Sequence, residues 1–277
     1  MATTLLMPTP FSISPDPAGL YLTPAVKTTI YKTRYTIDSR QGLAAILGDV
    51  GLGKSTIMRY VFSRVSAQPQ TNATFIPTPG FRSGYSMLKK ICQDFGIDAA
   101  RSEMAQQEAF EKFALEQYEA GMNIVLFIDE AQRMKIEQLE VVRTLLNFET
   151  SKAKLVQIVL AGQLELRDKL LTKKYKPLWS RIFAPSLLVP LEFNEMVAML
   201  KSRCDLEEVA WPFEEEQTAV LKILYRFSGG VPRAVLKTLQ LAYSLMNELG
   251  RTTIDTDLIN GVIQSLDVTE PETDGEE

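Results

Sequence analysis

Residues 48–55 read GDVGLGKS, from Gly48 to Ser55, and this short stretch decides the fold. It fits the pattern G-x-x-x-x-G-K-[ST] at every defined position. The glycines let the backbone curl, so that successive N–H groups point inward at the oxygens of a phosphate. A helix that follows directly adds the positive end of its dipole. The stretch therefore predicts a phosphate-binding loop between a buried strand and a helix.

The residues of this loop have separate tasks in the prediction. Lys54 reaches the β- and γ-phosphates of ATP, and the hydroxyl of Ser55 is a ligand for Mg²⁺. The residues predicted to contact the nucleotide are Gly48, Asp49, Val50, Gly51, Leu52, Gly53, Lys54, Ser55 and Thr56. The alternative is a glycine-rich turn with an exposed lysine, which the flanking strand and helix argue against.

Apolar strands alternate with helices on both sides of the loop. Strands are predicted over residues 42–47, 73–76, 123–128, 155–161 and 186–191, and helices over about 24–38, 54–66, 84–95 and 104–120. The strands read as continuous apolar runs, which is typical of a parallel sheet covered by helices on both faces. We therefore predict an α/β fold with a five-stranded parallel sheet in a three-layer αβα core.

The pattern changes at about residue 191, after which only helices are predicted, over 193–209, 214–227, 232–249 and 255–266. The predicted organisation is an extended N-terminal arm (1–22), a nucleotide-binding core (23–191), a small all-helical lid (192–266) and an acidic disordered tail (267–277). The arm is inferred from five prolines between residues 8 and 24. The tail lacks apolar residues that would anchor it.

Composition excludes several classes of function. Histidine is absent, so no histidine-based general base, zinc site or catalytic triad is possible. Cys92 and Cys204 lie far apart, which excludes a disulfide framework and favours a cytoplasmic location. We expect neither a signal peptide nor a membrane span. Residues 1–100 have a net charge of +5, which permits a nucleic-acid face, and a solvated surface is the alternative.

Two carboxylates follow the apolar segment at residues 124–128. These residues are Asp129 and Glu130. Beside a phosphate-binding loop, Asp129 would hold the Mg²⁺ shell and Glu130 would polarise the water that attacks ATP. A carboxylate pair in this position also serves as a simple turn or helix cap, and the loop upstream is what favours the catalytic interpretation.

Three more polar residues are candidates for contact with the γ-phosphate. Gln163 follows the strand predicted at 155–161, and Arg181 precedes the fifth predicted strand. A guanidinium neutralises charge on the transferred phosphoryl group, and an Arg181 supplied by a neighbouring subunit would make hydrolysis depend on assembly. Arg233 follows Pro232 at the start of a predicted helix and would face the nucleotide. The alternatives are a loop glutamine, a structural arginine and a plain interhelical turn. Other candidate cations are Lys173, Lys174 and Lys176.

Six segments together resemble the ExeA/GspA-type branch of AAA+ ATPases. They are PFSISPDPAGLYLTP (10–24), GDVGLGKS (48–55), FIDEAQRM (127–134), NFETSKAKLVQIVLAGQLELRDKL (147–170), RIFAPSLLVPLEF (181–193) and SGGVPR (228–233). The resemblance implies an AAA+ core and lid, with Lys54 and Ser55 in Walker A and with Asp129 and Glu130 in Walker B. It further implies that Gln163 is sensor 1, Arg181 the arginine finger and Arg233 sensor 2. Leu164 departs from the family, which often has proline there.

This branch contains secretion ATPases of the ExeA type, which continue into a membrane span, and stand-alone TnsC-like and TniB-like regulators of DNA transposition. The chain stops soon after the lid, so it resembles the second kind, including the regulators of CRISPR-associated transposons. The resemblance implies double-stranded DNA, a transposase and a TniQ-like targeting factor as partners. It also implies a homo-oligomer, a ring or filament with about six or seven subunits per turn. A soluble ExeA-type secretion or signalling ATPase and another DNA-remodelling AAA+ ATPase are the alternatives.

The resemblance also suggests where DNA is bound. Arg82, in the loop at 77–84, and Arg101, before the helix at 104–120, would line a central channel and contact phosphates. The next candidates are Lys89 and Lys90. Arginines exposed to solvent without a partner are the alternative. The tail at 268–277 has five acidic residues and would be repelled by DNA, leaving it free to contact the transposase or targeting factor.

Overall fold

The computed structural model describes residues 10–214 and 219–266, which form two compact units. One unit comprises residues 15–189 and contains the sheet. The other combines residues 10–14 with the described residues from 190 onward, whose regular elements are helices. The tail predicted at 267–277 lies outside the described residues.

The larger unit is built on five parallel strands, which are β1 (Leu43–Leu47), β2 (Thr71–Ile76), β3 (Asn123–Ile128), β4 (Val156–Gly162) and β5 (Ile182–Leu187). Their order in the sheet is β2-β3-β4-β1-β5. β1 and β4 are buried at every residue, which explains why they read as continuous apolar runs. The prediction of a five-stranded parallel sheet in an α/β core is confirmed.

Helices cover both faces of this sheet. They are α1 (Pro24–Asp38), α2 (Lys54–Ser66), α3 (Gly84–Asp94), α4 (Glu103–Glu119), α5 (Ile136–Leu145), α6 (Leu164–Leu171) and α7 (Lys176–Trp179). On one face, alternate strand residues such as Leu126 and Ile158 share an apolar cluster with α3 to α6. On the other face, Phe127 packs edge-on against Phe62 of α2, with ring centroids 5.5 Å apart. Neighbouring residues of a strand point to opposite faces, and three layers result.

The prediction of the fifth strand at 186–191 is wrong by about four residues. β5 pairs with β1 from Ile182 to Leu187, and the chain leaves the sheet after the N–H of Leu188 donates to the Leu47 carbonyl at 2.8 Å. β5 is an edge strand that contains Pro185 and alternates between buried and exposed residues. Proline is tolerated at a sheet edge. The apolar residues that follow β5 resemble a buried strand in the sequence, which is why the strand is predicted too late, although Val189 is 60% exposed.

The smaller unit is helical and consists of α8 (Phe193–Leu206), α9 (Ala219–Ser228 in the described part), α10 (Pro232–Glu248) and α11 (Thr256–Leu266). Residues 10–14 are part of it. Phe11 is fully buried and packs edge-on against Tyr243, and the Arg203 guanidinium donates a 3.0 Å hydrogen bond to the Ser12 carbonyl. The described part of the predicted arm therefore divides between the two units, with residues 15–22 in the larger one.

The helices in residues 10–214 and 219–266 differ from membrane spans in length or in polarity. None of them combines the length and the apolar character that a membrane span needs.

Candidate nucleotide-binding site

The loop at 48–55 connects the end of β1 to the start of α2. Gly51 and Gly53 have φ angles of 84° and 88°, a left-handed conformation that favours glycine. Gly53 is the N-cap residue of α2 and has no side chain to accept from the first N–H groups of that helix. These N–H groups can therefore serve a phosphate at the positive end of the helix dipole.

Lys54 is held against the loop that precedes it. Its ammonium group donates hydrogen bonds to the carbonyls of Gly48 at 2.8 Å and Asp49 at 2.7 Å, and the residue is only 7% exposed. The charge thus lies inside the curl of the loop, where a bound phosphate would meet it.

Ser55 and Asp129 come together at the carboxyl ends of β1 and β3. The Ser55 hydroxyl is hydrogen-bonded to the Asp129 carboxylate, which also accepts from the N–H of Glu130 at 2.8 Å. Burial raises the pKa of Asp129, although these two hydrogen bonds and the charge of Lys54 act in the other direction. A hydroxyl and a carboxylate are ligands that Mg²⁺ accepts beside the phosphates of a nucleotide. The residues present therefore fit this cation.

Glu130 has an unusual backbone conformation, with φ 52° and ψ 34°. A residue other than glycine in this left-handed region costs about 1–3 kcal/mol, and such strain is often found at functional sites. Its carboxylate accepts a 2.8 Å hydrogen bond from the side-chain amide of Gln132, and the Arg133 guanidinium lies 3.8 Å away. The turn after β3 therefore fixes the direction of the Glu130 carboxylate.

Gln163 lies beside this turn because β3 and β4 are neighbours in the sheet. Its backbone N–H donates to the side-chain oxygen of Gln132 at 3.2 Å. The structure thus brings together the carboxyl ends of β1, β3 and β4. The residues that lie there are Lys54, Ser55, Asp129, Glu130 and Gln163. Gln132, which joins two of these residues, was not singled out from the sequence, although it stands two positions after Glu130.

Arg181 lies at the opposite, amino-terminal end of the strands. It directly precedes β5, whose first residue pairs with Leu43, whereas the loop follows Leu47 at the far end of β1. Five rises of about 3.3 Å separate Arg181 from the level of Leu47, which places it roughly 16 Å from the start of the loop. The Arg181 guanidinium donates a 2.6 Å hydrogen bond to the side-chain oxygen of Asn147, which the sequence did not indicate.

Arg233 belongs to the helical unit, where it is an exposed residue in the first turn of α10. The turn before it depends on Gly230, which has φ 74°. A Cβ at Gly230 would stand 2.2 Å from the Leu191 carbonyl oxygen, so a side chain has no room there. The role of Arg233 at the nucleotide stays a prediction.

The loops predicted to bind DNA are neighbours. The Tyr85 hydroxyl donates a 2.7 Å hydrogen bond to the Ala100 carbonyl, which connects the start of α3 to the loop that contains Arg101. Arg82 and Arg101 are both exposed. Lys90 instead forms an ion pair with Asp94, and Lys89 is half-buried. Of the four candidate cations, Arg82, Arg101 and Lys90 are exposed, and Lys90 is also ion-paired.

The strand order, the loop after β1 and the carboxylates after β3 are those of the AAA+ P-loop fold. A family model described as AAA domain matches residues 37–170. The chain is similar to General secretion pathway protein A of Aeromonas hydrophila, with 30% identity over 228 residues, 82% of this chain and 41% of that protein. These matches support an ExeA-like AAA+ ATPase. The chain spans less than half the length of this relative.

Two solved structures have the same fold. The Aeropyrum pernix ORC2 protein, determined as ADPNP-ADP complexes, superposes with a TM-score of 0.66 at 15% identity, covering 92% of this chain and 71% of that one. Drosophila ORC bound to DNA superposes with a TM-score of 0.68 at 13% identity, covering 97% and 69%. At these identities the likeness shows the fold.

Proposed function

We propose that the chain is an Mg-dependent ATPase that assembles on duplex DNA and regulates DNA transposition. The observation that carries the ATPase proposal is the meeting of Lys54, Ser55, Asp129 and Glu130 at one edge of the sheet. Lys54 neutralises phosphate charge, Ser55 and Asp129 hold the Mg²⁺ shell, and Glu130 orients the attacking water. A bound Mg²⁺ would supply charge neutralisation at the β- and γ-phosphate oxygens.

Arg181 contributes to this reaction from a neighbouring subunit in the proposal. The roughly 16 Å along β5 and β1 supports this division, because it separates Arg181 from the loop of its own chain. An arginine in trans leaves each active site incomplete until subunits meet. The rate of ATP hydrolysis would therefore depend on the assembly of the subunits. Gln163 acts as a nucleotide sensor at the end of β4, and the sensor role of Arg233 is carried by the resemblance alone.

DNA binding is proposed from the exposed Arg82 and Arg101, whose loops are joined through Tyr85 and Ala100. Residues 147–170 resemble the ExeA/GspA-type branch, which includes TnsC-like regulators, and this resemblance supports a role in transposition. Contacts to phosphates alone position a protein without reading bases, so binding would be largely independent of sequence. The transposase and a TniQ-like factor would then meet the assembled chain.

A second candidate function is a secretion or signalling ATPase of the ExeA type. The 30% identity to General secretion pathway protein A favours it. Electron microscopy of the protein with a non-hydrolysable ATP analogue, with and without duplex DNA, separates the two candidates. Rings or filaments that form on DNA only with the analogue support the transposition regulator. Assembly that is indifferent to DNA would support the second candidate.

A further inference from the structure

Gln132 joins the turn after β3 to the end of β4 through a single side-chain amide. The amide nitrogen donates to the Glu130 carboxylate at 2.8 Å, and the amide oxygen accepts from the Gln163 N–H at 3.2 Å. The backbone of this turn is anchored as well, because the Lys169 ammonium donates to the carbonyls of Gln132 at 2.9 Å and Met134 at 3.0 Å.

The chemistry of the bridge requires a donor and an acceptor on one side chain. A carboxylate at position 132 would accept from Gln163 but has no proton for Glu130, and an apolar side chain would make neither bond. The bond to Glu130 is charge-assisted, which makes it stronger than a neutral one and more restrictive in geometry.

Glu130 needs such a restraint. Its side chain extends from a left-handed backbone in a short turn, and the residue is partly exposed. A second partner of the Glu130 carboxylate within the described residues is the Arg133 guanidinium at 3.8 Å, itself a largely exposed group. An exposed ion pair of this length restrains geometry weakly.

We propose that Gln132 is a positioning residue that holds the Glu130 carboxylate in its catalytic direction and couples it to the end of β4. The proposal rests on the function proposed above for Glu130. A shift of Gln163 at the γ-phosphate moves its backbone N–H and, through the Gln132 amide, the Glu130 carboxylate. The state of the bound nucleotide and the position of the Glu130 carboxylate are thereby connected within one subunit.

Gln157 provides a matched control at the opposite end of β4. Its side chain also bridges two backbone groups, accepting from the Gly42 N–H at 2.8 Å and donating to the Lys154 carbonyl at 2.9 Å. Gln157 is fully buried, and these two hydrogen bonds join it to backbone groups outside the proposed site. Gln157→Met therefore measures the cost of losing a bridging amide without disturbing Glu130.

The experiment compares Gln132→Met, Gln132→Glu and Gln157→Met with the wild-type chain. Both Gln132 variants should lose about 10- to 100-fold in turnover while their affinity for ATP is unchanged, because the base is misdirected. Gln157→Met should lower stability and leave turnover nearly intact. In single-turnover measurements on the Glu130→Gln background, Gln132→Met should cause no further loss, since the residue that it positions is already disabled.

Reduced turnover together with unchanged ATP affinity is a readout that a purely structural role would not give. Wild-type turnover in Gln132→Met, or a full additional loss in the Glu130→Gln background, overturns the proposal. A wild-type chain without turnover would instead overturn the ATPase proposal itself.

Discussion

The hydroxyl of Ser55 is hydrogen-bonded to the buried carboxylate of Asp129, and this contact joins the loop after β1 to the end of β3. A carboxylate that is only 5% exposed would normally be neutralised or paired with a cation. Its partners in the described residues are a hydroxyl, a backbone N–H and the nearby charge of Lys54. The pair is therefore suited to gain stability when a divalent cation arrives.

The raised pKa of Asp129 predicts that this carboxylate lowers the free energy of unfolding of the nucleotide-free protein in a pH-dependent way. The pKa of Asp129 is higher in the folded than in the unfolded protein. The protein is therefore not destabilised at pH below the unfolded pKa, and the destabilisation grows as pH rises through the folded pKa. Asp129→Asn should therefore stabilise the free protein at neutral pH and lose this advantage in acid. Denaturant midpoints of Asp129→Asn and of the wild type, measured across pH, give this difference in stability. Asp168→Asn, at an exposed position, is the control. An advantage that grows toward acid pH would contradict the assigned direction.

Removal of the Lys54 ammonium should abolish ATP binding. Charge-assisted hydrogen bonds contribute about 1.5–3 kcal/mol each, so Lys54→Ala is expected to weaken affinity by at least about 100-fold. Arg59→Ala is the control, because it removes an exposed cation from the same helix. Titration with a fluorescent ATP analogue provides the measurement. Equal affinities in the two variants would show that the loop does not hold the phosphates.

Arg181 is expected to act across a subunit interface. Specific activity should rise with protein concentration or added DNA, and Arg181→Ala and Glu130→Gln should each be inactive alone. In an equal mixture about one quarter of the sites combine an intact Glu130 with an intact neighbouring Arg181, so activity should recover to roughly that fraction. A rate that is independent of concentration, with no recovery on mixing, counts against an interfacial Arg181.

Charge reversal at Arg82 and Arg101 should remove DNA binding and spare ATP binding. Each lost phosphate contact reduces the slope of log affinity against log salt by about one, so the double variant should also be less sensitive to salt. Arg64→Glu with Arg251→Glu changes the net charge equally at other exposed positions and serves as the control. Normal DNA affinity in the Arg82 and Arg101 variant would place the DNA surface elsewhere.

The sequence predicted most of the sheet and the nucleotide loop because both depend on local signals. Buried parallel strands such as β3 are unbroken apolar runs, and the glycines of the loop stand at fixed spacings. β5 was misplaced because an edge strand with a proline has a weaker signal than the apolar residues that follow it. Its position is set by pairing with β1, which the sequence does not display.

Contacts between segments distant in sequence were harder to predict. Gln132 and Asn147 both hold a predicted site residue, yet each looks like an ordinary polar residue in a turn. Their partners, Gln163 and Arg181, are set by the strand order and not by sequence spacing. The residues of the phosphate loop could be named from the sequence because they are contiguous, whereas the residues that orient Glu130 and Arg181 required the fold.

The most direct test of the central claim is ATP turnover by the purified chain with Mg²⁺, measured beside Glu130→Gln, with ATP affinity determined on the same samples. The account predicts that both proteins bind ATP equally and that Glu130→Gln hydrolyses ATP at least about 100-fold more slowly, which is the usual contribution of a positioned base. An undiminished rate in Glu130→Gln, or a wild-type chain that binds ATP without hydrolysing it, would contradict the account.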